Sequence, residues 1–133
     1  MRLDGFGLFV QDMGTMIRFY RDVLGFEIQE SEDAGNVYLV KDGTLFLLYG
    51  RENFARETGK EYGYAQGLNG HGEIALYVDT FEEGGPGFRP SGGQGGSSCF
   101  RAGDPAWGQR TCYVADPEGN LIEIGSFNRP FGR

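Results

Sequence analysis

WGQRTCYVADPEGNLIEIG, residues 107–125, decides how this chain folds. Within it Asp116, Pro117, Glu118 and Gly119 spell a turn. Proline presets φ at the second position, the aspartate side chain reaches the backbone ahead of it, and glycine takes the left-handed conformation. Two strands therefore fold back on one another. With 117–119 as the loop, Asp116 lies opposite Asn120, Tyr113 opposite Glu123 and Thr111 opposite Gly125, because side chains alternate between faces with a period of two. Cys112, Val114, Ile122 and Ile124 take the other face, which is uniformly apolar. A glutamate beside a tyrosine, on a strand whose reverse is buried, is the arrangement of a polar group directed into a pocket.

Upstream, residues 3–10 alternate as a half-buried strand, with Phe6, Leu8 and Val10 on one face and Gly5, Gly7 and Phe9 on the other. Asp12 is a good N-cap; Met13, Met16, Ile17, Tyr20 and Leu24 follow at helical spacing, and Gly25 supplies the stop. Residues 26–31 read as a further strand. Asp42-Gly43 then joins strands over 37–41 and 44–49 in a tight hairpin. The first half is thus β-α-β-β-β, and a polar connection with room for a short helix over 52–57 follows it. GEIALYVD at 72–79 echoes GFGLFVQD at 5–12, and the 116–125 hairpin echoes the one around Asp42-Gly43, so the two halves read as copies of one unit. The second copy departs where its helix belongs. Seven of the thirteen residues 84–96 are glycine, and Pro86 and Pro90 stand among them. Seven interior glycines alone would cost roughly 5 kcal/mol relative to alanine, so a short, frayed or absent helix is expected there, and a short strand over 97–101 after it.

At 133 residues, 39% apolar and 14% aromatic, the chain is long enough for one folded domain with a core. A net charge of −7 and the lack of clustered Lys and Arg argue against nucleic acid as a partner. No apolar run approaches the ~20 residues of a membrane span, so no membrane partner is expected and the expected compartment is the cytoplasm. Cys99 and Cys112 fit no metal or redox spacing and read as reduced, partly buried thiols.

The duplicated β-α-β-β-β unit, FYRDVLGF at 19–26 after the first helix, and WGQR with DPEGNLIEI closing the second unit resemble the vicinal oxygen chelate superfamily. That group includes glyoxalase I, bleomycin resistance proteins, fosfomycin resistance enzymes and extradiol dioxygenases. The resemblance implies an α+β fold in which two such modules form an incomplete mixed-sheet barrel around a pocket, commonly completed by a homodimer. It implies a single domain, with module one at 1–50, a connection at 51–70, module two at 71–127 and a tail at 128–133.

In the metal-dependent members the ligands come from the first and last strands of each module. On this sequence the resemblance maps those positions onto Gly5 and Leu47 in module one and Glu73 and Glu123 in module two. Only two oxygen donors remain, which would hold a divalent ion weakly. No resident metal is expected, a divalent metal remaining the alternative cofactor, with His71 as a third ligand on the same strand face as Glu73. Glu73 and Glu123 are the candidates for catalytic work. The expected ligand pocket comprises Phe9, Leu47 and Tyr49 from module one and Glu73, Tyr77, Thr111, Tyr113 and Glu123 from module two, with Trp107 at the rim and Arg110 nearby. An aromatic and acidic cavity suits a flat or cationic organic molecule. The leading expectation is a small-molecule binding protein of the bleomycin resistance type. The alternative is a metal-dependent lyase, isomerase or dioxygenase of the glyoxalase type that uses Glu73 and Glu123.

Overall fold

The computed structural model describes residues 1–79, 100–101 and 109–127. The chain divides into two compact units, Met1–Tyr64 and Ala65–Arg133. Segment 84–96, Cys99 and Trp107 lie outside the described residues, and so do the side chains of Arg110 and of the short strand at 100–101.

The first unit runs β1 (Gly5–Val10), α1 (Met13–Arg18), a π-helical turn (Phe19–Val23), β2 (Asn36–Lys41), β3 (Thr44–Gly50) and α2 (Arg51–Thr58). Asp12 Oδ1 accepts the Thr15 N–H at 3.1 Å, which starts α1 by satisfying one of its orphan amides. The same hydrogen bond holds the Asp12 carboxyl below its ordinary range. The helix does not continue unchanged to Gly25. It widens over Phe19–Val23, where Leu24 N–H reaches back five residues to Phe19 C=O at 3.2 Å. Gly25 then takes φ +78° and ends it. Met16, Ile17, Phe19 and Tyr20 are fully buried, each contributing about 1.5–3 kcal/mol by leaving water. Tyr20 meets Phe46 of β3 at 5.2 Å between ring centroids.

The sheet has order β1-β3-β2, with β1 parallel and β2 antiparallel to β3. Asp42 and Gly43 take φ +52° and +78°, the left-handed pair that a two-residue hairpin requires. Residues 26–31, expected as a strand, do not join the ladder. Phe26 and Ile28 are buried as that pattern demands. However, Ile28 N–H turns back to Phe26 C=O at 3.0 Å, and the Glu30 carboxylate accepts the Tyr38 N–H at 2.8 Å. A side chain occupies the place a neighbouring strand's carbonyl would take.

The second unit contains β4 (Asn69–Tyr77), β5 (Phe100–Arg101), β6 (Gln109–Ala115) and β7 (Asn120–Phe127), in the order β4-β7-β6-β5. Here β4 is parallel and β6 antiparallel to β7, which repeats the pairing around β3. The register of the closing hairpin is as read: Tyr113 faces Glu123, and Thr111 faces Gly125. Gly119 has φ +89°, and Asp116, only 2% exposed, accepts from Glu118 N, Asn120 N and Asn120 Nδ2 at 2.9–3.0 Å. Cys112, Val114, Ile122 and Ile124 are buried on the reverse face together with Ile74.

Two readings are corrected in this unit. Gly5 pairs with Leu45 and Glu73 with Leu121, so Gly5 corresponds to Glu73; the written echo, which set Gly5 against Gly72, is out of phase by one residue. A slip of one exchanges the two faces of a strand, and the buried Ile74 confirms the shifted phase. Cys112, read as a reduced thiol, is disulfide-bonded, with its partner outside the described residues. Antiparallel pairing of β5 with β6 brings sequence-distant residues together, so wide spacing is no argument against a bridge.

Candidate functional site: an acid pair flanking a tyrosine

On the second sheet, the face opposite the buried one carries Glu73 and Tyr77 from β4, Thr111 and Tyr113 from β6, and Glu123 from β7. The register places Ala75 and Tyr113 on either side of Glu123, and Tyr77 and Thr111 on either side of Gly125. Thr111 is buried, Tyr113 and Glu123 are half-buried, and Glu73 and Tyr77 are exposed. The Tyr113 hydroxyl donates to Glu123 Oε2 at 3.3 Å.

Burial, followed by the Glu123 charge and a hydrogen bond with Glu73, pushes the Tyr113 phenol up to about 12. Burial and then the Glu73 charge raise the Glu123 carboxyl above its ordinary range, with the Tyr113 hydrogen bond acting against them. Two carboxylates around one phenol can share a proton or hold a cation, because like charges at short range resist full ionisation.

The expected pocket residues of module one share a sheet face of their own unit. Phe9 pairs with Tyr49 and Gly7 with Leu47, and Phe9 packs on Phe54 of α2 at 4.4 Å. The Tyr49 hydroxyl donates to Glu57 of α2, and that hydrogen bond is the main reason its phenol is pushed up to about 12. The sequence reading missed Glu57; its only signal was a place on a short helix whose partner strand was not evident. Arg110 pairs with Ser126 in the ladder, its side chain and the whole of Trp107 being outside the described residues.

His71 does not join Glu73 and Glu123. The register of β4 shifts between Asn69 and Glu73, so simple alternation fails there, and the His71 N–H is taken by Asn69 Oδ1 at 3.0 Å. Among the described residues, no three His, Cys, Asp or Glu side chains stand together as a metal-holding group.

The family model for the Glyoxalase/Bleomycin resistance protein/Dioxygenase superfamily matches residues 2–124. The chain belongs to that superfamily. Solved structures of the same fold include a glyoxalase-related enzyme from Fulvimarina pelagi, 22% identical with TM-score 0.75, over 95% of this chain and 88% of that one. A glyoxalase/bleomycin resistance protein/dioxygenase family enzyme from Burkholderia phytofirmans is 18% identical, with TM-score 0.72, over 96% and 99% of the two chains. A lactoylglutathione lyase from Agrobacterium tumefaciens is 20% identical, with TM-score 0.61, over 94% and 92%. No curated protein matches in sequence.

Members of the superfamily often use a divalent metal, and the described residues do not fit one. Of the four positions that the strand register aligns, Glu73 and Glu123 are donors, while Gly5 and Leu47 are not. Gly5 is also closed: a Cβ there would lie 2.2 Å from the Leu45 carbonyl oxygen and 2.5 Å from Leu45 Cβ. Two carboxylates alone fall short of the three or four protein ligands of a transition-metal site.

Proposed function

We propose that the chain is a metal-independent small-molecule binding protein that takes an aromatic or cationic ligand at the Glu73, Tyr113 and Glu123 face and works as a homodimer. The observation that carries the reading is the pair of carboxylates around the Tyr113 hydroxyl, with Glu123 raised by burial and by its neighbour. A bound cation would relieve the repulsion that raises Glu123, and a tyrosine face supports cation–π contact. Tyr77, 37% exposed, extends the same face.

The test is calorimetric titration with planar aromatic cations such as proflavine, set against a neutral ring system of equal size. The cation is expected to bind, and Glu123→Gln to weaken it at least about tenfold, the equivalent of 1.4 kcal/mol. Tyr113→Phe should weaken it less. Equal affinity for the neutral ring, or a tight stoichiometric site for a divalent metal, would overturn the proposal.

A further inference from the structure

β4 does not run evenly from its first residue to Glu73. Asn69 pairs with Asn120 and Glu73 with Leu121, the next residue of β7, so Gly70, His71 and Gly72 stand outside the ladder as extra length on one strand. A bulge leaves its additional residues unpaired. All three are exposed, and a Cβ on Gly70 or Gly72 would meet nothing within 4 Å. Asn69 itself is held in place. Its N–H donates to the Gly119 carbonyl at 2.8 Å, and its Nδ2 donates to Asn120 Oδ1 at 3.1 Å.

Asn69 is the only asparagine followed by glycine; Asn36, Asn53, Asn120 and Asn128 precede Val, Phe, Leu and Arg, whose side chains crowd the next amide. The His71 N–H donates to Asn69 Oδ1 at 3.0 Å. A side chain bonded to the amide two residues on is folded forward over its own peptide, which carries Cγ toward the Gly70 nitrogen. That nitrogen gives its proton to solvent and bonds to Cγ. The charge gathers on Oδ1, where the His71 N–H is already aimed; the Cγ–Nδ2 bond then breaks, and Nδ2 takes a proton from solvent and leaves as ammonia. Water opens the resulting cyclic imide at either of its C–N bonds. Cutting the new bond gives aspartate, and cutting the original peptide bond gives isoaspartate.

From this we infer that Asn69-Gly70 is a self-modification site, at which the folded chain deamidates without an enzyme and thereby frees the start of β4 from the closing turn. The release follows from a hydrogen-bond run of fixed direction. Asn120 Nδ2 donates to Asp116 Oδ2 at 2.9 Å, which leaves Asn120 Oδ1 to accept from Asn69. A carboxylate in place of the Asn69 amide sets acceptor against acceptor, and turning Asn120 over would set its oxygen against Asp116 instead. The isoaspartyl product also adds a main-chain carbon ahead of Glu73, the residue at which β4 rejoins β7.

The full chain, incubated at mildly alkaline pH with and without guanidinium, is followed by peptide mass spectrometry. This reads the exchange of NH₂ for OH and separates the two acid isomers by electron-transfer fragmentation. Asn69 is expected to convert in the folded chain within about threefold of its rate in the unfolded chain, and at least about tenfold faster than Asn36, Asn53 or Asn120. Gly70→Ala, a change into open space, should slow conversion at least about tenfold. Asn69→Asp, which makes one product directly, should melt about 4 °C below wild type. Protection of Asn69 by about tenfold or more on folding, or undiminished conversion in Gly70→Ala, would overturn the self-modification. An unchanged melt for Asn69→Asp would overturn the release of β4.

Discussion

Replacing Asp116 by alanine tests the turn on which the second unit depends. Its carboxylate accepts three hydrogen bonds at 2.9–3.0 Å, two from backbone N–H groups and one from Asn120 Nδ2, while itself being 2% exposed. Hydrogen bonds to a charged group contribute about 1.5–3 kcal/mol each. Glu118 and Asn120 are only half-buried, so water recovers part of the loss for the orphaned donors. The net expectation is about 3–4 kcal/mol. For a chain of this length 1 kcal/mol corresponds to roughly 4 °C in Tm, so Asp116→Ala should melt about 12–16 °C below wild type by circular dichroism. Asp116→Asn keeps an acceptor for both backbone donors but sets an NH₂ group against Asn120 Nδ2, whose amide is held by the 3.1 Å hydrogen bond from Asn69 Nδ2 to its Oδ1, so that variant should lose about 1–2 kcal/mol, less than the alanine variant. A melting point for the alanine variant within about 2 °C of wild type would refute the argument that this carboxylate holds the hairpin.

The raised Glu123 carboxyl gives a pH dependence of definite sign. A folded-state value above the ordinary glutamate value of about 4.3 means that the native state holds the proton more tightly. Stability should therefore fall as pH rises from that ordinary value through the raised one. Glu123→Gln should remove that fall and be more stable than wild type at neutral pH, as urea unfolding across this window would show. Gly5→Ala should lose about 2–3 kcal/mol, because its Cβ meets the β3 backbone at 2.2 Å. Gly63→Ala, with nothing within 4 Å of the new carbon, should be neutral or gain up to about 1 kcal/mol; thermal melts of the two variants side by side check both.

The fold was legible where local chemistry alone decides it. The turns at Asp42-Gly43 and at Asp116 to Gly119, the Asp12 cap and the alternation of the closing hairpin all require nothing beyond neighbouring residues. Glu123 beside Tyr113 followed from that register, and Glu73 joined them through the superfamily resemblance. The failures came where a long-range partner replaces the local one. At 26–31 the buried alternation is present, but the Glu30 carboxylate takes the amide that a ladder carbonyl would take. At His71 an irregular register breaks the period that linked it to Glu73. The stop at Gly25 was legible, but the widening before it was not, because apolar spacing does not distinguish a tight helical turn from the wider one that begins at Phe19. The open cleft of the first unit beside Arg51 left no linear signature, since Gln11, Gly35 and Asn53, which line it, are brought together only by the ends of two strands.

Gly5 also constrains how this lineage could change over evolutionary time. A glycine at an open position can gain a side chain by a single codon change, but here the Leu45 backbone fills the space a side chain would need. Point mutation cannot place a donor there until β3 moves away from β1. Backbone geometry thus holds this position as glycine, which leaves the second unit, with its two acids, as the accessible route to new chemistry.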